Sequence, residues 1–159
     1  METFRQARDA FEAAAQGRGW AVHRVRDSST FCRIVVSGPE DLLVDLALDS
    51  APSRPSTASV AGPTFGLEEL AGRKVIALFD RAEARDFADV YVLAQRYDKR
   101  CLLAWAAEVD AGFSLAVFAD MTGAVARFAD DELPVDAEQV GPLREFFAVW
   151  ATELRTPDL

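Results

Sequence analysis

Apolar positions Phe4, Ala7, Phe11 and Ala14 recur at helical spacing, and Gly17 and Gly19 follow them. This predicts an N-terminal helix. Three short runs of alternating apolar and polar residues come next, at 20–26, 30–36 and 41–48. Asp27-Ser28-Ser29 and Ser37-Gly38-Pro39-Glu40 separate them, and both read as hairpin turns. The pattern is a helix followed by an antiparallel meander. Residues 49–63, rich in Pro, Ser, Thr and Ala, read as an ordered loop or a linker. From Leu67 onward the spacing is helical, predicting helices at 67–81, 85–97, 102–110, around 114–128 and at 136–154. The expected architecture is α+β, with a small α/β part over 1–63 and a helical part over 64–159.

Composition leaves this picture intact and narrows the classes. The chain has 159 residues, half of them hydrophobic, enough for one domain or a domain with a helical appendage. It contains no run of eighteen apolar residues, so no membrane span is expected. The start, Met1-Glu2-Thr3-Phe4-Arg5, lacks the basic-then-apolar order of a signal peptide. Cys32 and Cys101 read as buried free thiols of a reducing compartment, and the cytoplasm is the expected location. The net charge of −9 is uneven: residues 1–100 carry 14 basic against 15 acidic side chains, residues 101–159 only 3 against 11. A broad non-specific nucleic-acid footprint is therefore not expected, although a local basic face remains compatible with phosphate.

The densest chemistry lies in residues 71–93, where four basic and four acidic side chains sit between apolar ones. On one helix, Lys74, Leu78, Arg81 and Arg85 would fall at i, i+4, i+7 and i+11, lining three cations on a face. Arg85 and Asp89 have the spacing of an intrahelical ion pair. Lys and Arg neutralise phosphate, and Arg adds a planar fork of donors. The same residues also read as a helix pair stitched by surface ion pairs. Exposed pairs contribute only about 0.2–1 kcal/mol each, so stability alone explains their density poorly. In the third strand, parity puts Leu42, Val44, Leu46 and Leu48 on one face, and Asp41, Leu43, Asp45, Ala47 and Asp49 on the other. Asp45 is then either a solvated acid on an open face or a carboxylate for a metal or a proton. His23, the only histidine, reads as a sheet residue, and no zinc spacing, nucleophile elbow, Walker loop or dinucleotide fingerprint occurs. Trp20, Trp105 and Trp150 read as core or interface aromatics.

Val44-Asp45-Leu46-Ala47, then Gly62-Pro63, then Leu70-Ala71-Gly72-Arg73-Lys74-Val75-Ile76-Ala77-Leu78-Phe79-Asp80-Arg81, then Arg85-Asp86-Phe87-Ala88-Asp89-Val90-Tyr91-Val92-Leu93 form an ordered series. It resembles the nucleotidyltransferase family of the AbiEii/AbiGii toxins, over roughly the whole chain. The resemblance implies a polymerase-β-like nucleotidyltransferase core joined to a helical C-terminal domain. It implies a toxin of a bacterial toxin–antitoxin or phage-defence system, with an antitoxin partner. Some relatives use a nucleoside triphosphate and Mg2+ to transfer a nucleotide to tRNA. By that resemblance Asp45, Lys74 and Asp86 are the catalytic residues, Asp45 also holds the metal, and Lys74 contacts the triphosphate. Arg81 and Arg85 support phosphates or acceptor, Asp86 belongs to the late acidic motif, and Asp89 supports Arg85.

The chain departs from the pattern in one respect. It contains no Gly-Gly, no Gly-Ser and no Asp-x-Asp, and its nearest acidic pair, Glu108-Val109-Asp110, falls in the helical part. The core is therefore expected to be partial, beginning at the helix after the family's second strand. Little or no transferase activity is expected from it alone, and self-association through an exposed sheet edge is expected. The competing class is a non-catalytic relative that binds or regulates a protein partner, a nucleotide or RNA. The third reading is an α+β domain whose charged helix pair is structural.

Overall fold

The computed structural model describes residues 2–60 and 62–156. The fold is α+β, with six helices and two small antiparallel sheets among those residues. It divides into two compact units, Met1–Ala51 and Pro52–Leu159.

In the first unit, helix α1 (Glu2–Gln16) precedes strands β1 (Ala21–Asp27), β2 (Phe31–Ser37) and β3 (Asp41–Ala47), in sheet order β1-β2-β3. The meander matches the alternation in the sequence to within a residue at each end. Gly19, at φ 78°, closes the helix in the left-handed region that glycine enters without steric cost. The buried stripe of α1 is Phe4, Phe11 and Ala15, whereas Ala7 and Ala14 are exposed, so the expected face is shifted. Arg8 and Glu12 complete the stripe because they meet charges on β1: Arg8 grips Asp27 at 2.8 and 2.9 Å, and Arg24 grips Glu12 at 2.6 and 2.7 Å. Cys32, Ile34 and Val36 face α1 from the central strand and are fully or almost fully buried. Burial raises the Cys32 thiol pKa, as an inert core thiol requires. Cys101 corrects the expectation of two buried thiols, since it is exposed on the second unit.

A bulge between Arg24 and Arg26 decides which way the end of β1 points. Arg24 opposes Ile34 on the α1 side, but Arg26 opposes Arg33 and Asp27 opposes Cys32. The extra residue reverses the parity, sending Asp27 to Arg8 and Arg26 to the outer face. Among the described residues neither β1 nor β3 has a strand on its outer edge. Leu42, Leu43 and Leu48, on or beside β3, are about half exposed.

The second unit opens at Pro52. Its first segment carries a hairpin, β4 (Thr57–Ser59) with β5 (Gly62–Thr64), where the sequence reads as loop. Buried Glu69 explains the attachment. It accepts hydrogen bonds from the Ser53 and Arg54 amides at 3.1 and 3.0 Å, and from Arg73 at 3.1 and 2.9 Å. Burial pushes the Glu69 pKa up, but Arg73 and the two amides outweigh it and hold the carboxyl below its ordinary value. Arg54 also pairs with Glu68 and Glu108. The Pro/Ser-rich segment is thus tied to the helices that follow it.

Those helices are α2 (Leu67–Asp80), α3 (Ala84–Ala94), α4 (Lys99–Val109), α5 (Leu115–Gly123) and α6 (Ala137–Arg155). A 3-10 turn, Ala124–Arg127, continues α5 where one long helix is expected. Val75, Leu78, Phe87, Val90, Leu102, Phe118, Leu143, Phe147 and Trp150 fill one core. Its aromatic rings meet edge-on, as in Phe87–Phe147 at 5.0 Å and Phe118–Trp150 at 5.2 Å. Of the three tryptophans only Trp150 is fully buried. Trp105 is half-buried against Tyr97, and Trp20 is 36% exposed. No helix among the described residues is long and apolar enough to cross a membrane.

Candidate functional site

The cationic block does not lie on one helix. Helix α2 ends at Asp80, Arg81 is its C-cap, and Ala82 adopts φ 46° before Glu83 caps α3. A left-handed residue stops one helix and turns the chain into the next. The expected single face of Lys74, Arg81 and Arg85 is therefore an elbow, with Lys74 on α2, Arg81 at the bend and Arg85 in the first turn of α3.

Carboxylates hold each cation of the elbow. Arg81 Nε and Nη2 donate to Asp86 Oδ2 and Oδ1 at 2.9 and 2.8 Å. Asp86 is 1% exposed and also accepts the Glu83 backbone N–H at 3.0 Å, closing a capping box. Burial pushes the Asp86 carboxyl up, yet the Arg81 fork and the Glu83 amide prevail and keep it below the usual aspartate value. The hydrogen bonds to Asp86 in turn raise the Arg81 pKa. Lys74 Nζ donates to Asp89 Oδ2 at 2.7 Å across the two helices. Arg85, 64% exposed, pairs with Glu83 at 3.0 Å. The Arg85–Asp89 pair expected from the spacing is thus replaced by Lys74–Asp89 and Arg85–Glu83, because the bend brings Glu83 to Arg85 and α2 to Asp89.

Asp45 lies in the other unit, on the outer face of β3, as the strand parity indicated. Its cross-strand partner is Arg33, whose Nε and Nη2 donate at 2.8 and 2.7 Å. This cation is legible in the sequence too, since the predicted second and third strands place Arg33 and Asp45 on the same side. Buried Glu69 carries no apolar pattern, and its signal in the sequence is the i,i+4 relation to Arg73. His23 is an exposed residue of β1, as read.

The Mg2+ that the resemblance implies needs a shell of oxygen donors in near-octahedral geometry. Both Asp45 oxygens face a guanidinium, and no group of three or more His, Cys, Asp or Glu gathers in a metal-holding arrangement among the described residues. Asp86 is engaged on both oxygens. These residues do not make up a magnesium donor set.

Residues 4–141 match the family described as nucleotidyl transferase AbiEii toxin, type IV toxin–antitoxin system. No curated protein sequence matches the chain. Among solved structures, the crystal structure of JHP933 from Helicobacter pylori superposes with a TM-score of 0.51 at 18% identity. The alignment covers 84% of this chain and 64% of that one, so the chain spans just under two thirds of the length of JHP933. At this identity the likeness concerns the fold alone. The family match extends over most of the chain and includes both Asp45 and the α2–α3 elbow. The chain belongs to the AbiEii nucleotidyltransferase toxin family of type IV toxin–antitoxin systems.

Proposed function

We propose that this chain is a nucleotidyltransferase-fold toxin protein whose α2–α3 elbow receives the phosphates of a nucleoside triphosphate, and that the 159-residue polypeptide does not transfer nucleotides by itself. One observation carries the reading. Arg81 is pinned by buried Asp86 through Nε and Nη2, while Nη1 makes no hydrogen bond among the described residues and the side chain remains 45% exposed. A guanidinium fixed on one edge and open on the other is a preorganised phosphate donor. Half-buried Lys74 and exposed Arg85 flank it and would exchange Asp89 and Glu83 for phosphate oxygens. Asp89 then positions Lys74, and Asp86 positions Arg81 rather than acting on substrate. Phosphoryl-type transfer rests on positioning and charge neutralisation, which the elbow supplies on the cationic side. Asp45, the one strand carboxylate placed by the resemblance, is neutralised by Arg33. By the same family reading, the activity belongs to a cytoplasmic phage-defence or toxin–antitoxin pair with tRNA as acceptor, and the open edge of β3 supports self-association.

The Arg33–Asp45 pair also favours a second reading, a non-catalytic relative that binds nucleotide, RNA or a protein partner and regulates it.

Titration with a fluorescent nucleoside triphosphate tests the elbow. Lys74→Ala, at a half-buried position, and Arg85→Ala, at an exposed one, are expected to weaken binding about tenfold each, in line with the loss of one charge-assisted contact. No binding in the parent, or unchanged binding in both variants, removes the phosphate reading. With labelled nucleotides, Mg2+ and pooled tRNA, the purified chain is expected to incorporate no label, and robust incorporation overturns the inactive assignment. Sedimentation of the same preparation reads self-association, which a strictly monomeric mass across micromolar concentrations eliminates.

A further inference from the structure

The outer face of the three-stranded sheet holds a group of side chains that the phosphate elbow does not use. Register places His23, Arg26, Phe31, Arg33 and Asp45 on this one face. The Phe31 ring has two guanidiniums over it, with Arg26 Cζ 5.5 Å and Arg33 Cζ 5.9 Å from its centroid. Arg33 is held in place by Asp45, and both remain more than two-fifths exposed. Arg26 is exposed and makes no ion pair among the described residues. It reaches this face only because of the bulge between Arg24 and Arg26.

An exposed cross-strand ion pair contributes only about 0.2–1 kcal/mol, so the Arg33–Asp45 pair adds little to stability. What it does is orient a guanidinium plane beside an aromatic ring. Asp45 cancels the charge of Arg33, and the uncompensated charge on the patch belongs to Arg26. An aromatic ring and oriented guanidinium planes on an antiparallel sheet face offer stacking surfaces for bases, and a free arginine beside them meets the linking phosphate.

We infer that Phe31, Arg26 and Arg33 form a stacking platform for the bases of single-stranded nucleic acid, with Asp45 as the positioning residue for Arg33. The platform lies in the first unit and does not depend on the elbow reading. It binds without a divalent ion, since the cation at Asp45 is the protein's own Arg33.

Fluorescence anisotropy with a fluorescein-labelled oligoadenylate tests this on the full chain. Binding is expected in EDTA and in Mg2+ alike, and an oligouridylate should bind more weakly because its bases stack less well. Phe31→Leu keeps apolar volume but removes the ring, and Arg26→Gln alters only an exposed side chain. Each is expected to weaken binding about tenfold, within the range for loss of one stacked base or its partner. The triphosphate titration reads the elbow and the oligoadenylate titration reads Phe31→Leu and Arg26→Gln, so failure of the platform and failure of the elbow are measured separately. The inference is overturned by an absence of binding at high micromolar protein, by parent-like affinity in both Phe31→Leu and Arg26→Gln, or by displacement of the oligomer by tripolyphosphate as readily as by unlabelled oligoadenylate.

Discussion

Gly72→Ala is expected to destabilise the helical unit by about 2 kcal/mol, although alanine is the better helix former by about 1 kcal/mol. A Cβ at this position would lie 2.5 Å from the Trp105 carbonyl oxygen and 2.8 Å from its carbon. Both are backbone atoms, so no rotamer change relieves the contact, and α2 and α4 must separate at this point. The shift would reach Ala71 and Val75 on one side and Ala106 on the other, all fully buried. Thermal unfolding followed by near-UV circular dichroism should show a midpoint roughly 10 °C lower, using the usual relation for a domain of this size. Gly123→Ala provides the matched control. It has no atom within 4 Å of the added Cβ and sits at the end of α5 with ordinary helical angles, φ −65° and ψ −20°. There the same substitution should stabilise by about 0.5–1 kcal/mol. A neutral result for Gly72→Ala would mean that the helices do not meet this closely.

The Arg81–Asp86 pair should show an asymmetry that depends on pH. Arg81→Ala leaves a buried carboxylate with only the Glu83 amide, and is expected to cost about 3 kcal/mol at pH 7. This is the lower end for a broken buried pair because Arg81 is itself 45% exposed. Asp86→Ala removes the buried charge and the cap but lets Arg81 turn to water, and is expected to cost about 2 kcal/mol. The double variant should cost less than the two added together, because the partners share one interaction. The parent holds the Asp86 pKa below its ordinary 3.8. The stabilisation is therefore complete above that value and is lost as pH falls through the depressed one. In Arg81→Ala burial is no longer outweighed, the Asp86 pKa moves up, and the penalty shrinks as pH falls and the carboxyl takes a proton. Urea unfolding of the four proteins between pH 4 and 7, read as differences in midpoint at constant slope, checks this. A pH-independent penalty in Arg81→Ala would show that Asp86 is not the group left stranded.

The legible and illegible parts of this chain divide by range of interaction. Strand parity placed Asp45 on the outer face and was correct, because alternation is a property of the strand alone. Helix periodicity located α2, α3, α4 and α6 within a few residues of the observed ends. The hairpin at β4–β5 lies where the sequence predicts a loop, since three-residue strands carry no periodic signal and Pro63 speaks against one. The buried face of α1 differs from the apolar pattern for a related reason. Apolar spacing favours Ala7 and Ala14, but Arg8 and Glu12 turn inward to charges on β1 that no local pattern reveals. Asp86 looked like a reactive acid because its spacing fits the family motif, and only three-dimensional packing shows it buried and engaged on both oxygens.

The sequence by itself determined the α+β order, the family and the identity of the cations and acids, because periodicity, turn chemistry and motif spacing are local properties of the chain. The tertiary structure decided which charges meet. A left-handed residue at Ala82 turns a cationic stripe into an elbow, and a one-residue bulge in β1 sends Arg26 to the outer face. Burial at Asp86 makes an acid into an anchor for Arg81. Partner choice among charges depends on backbone direction and desolvation, and both are set only when the elements pack.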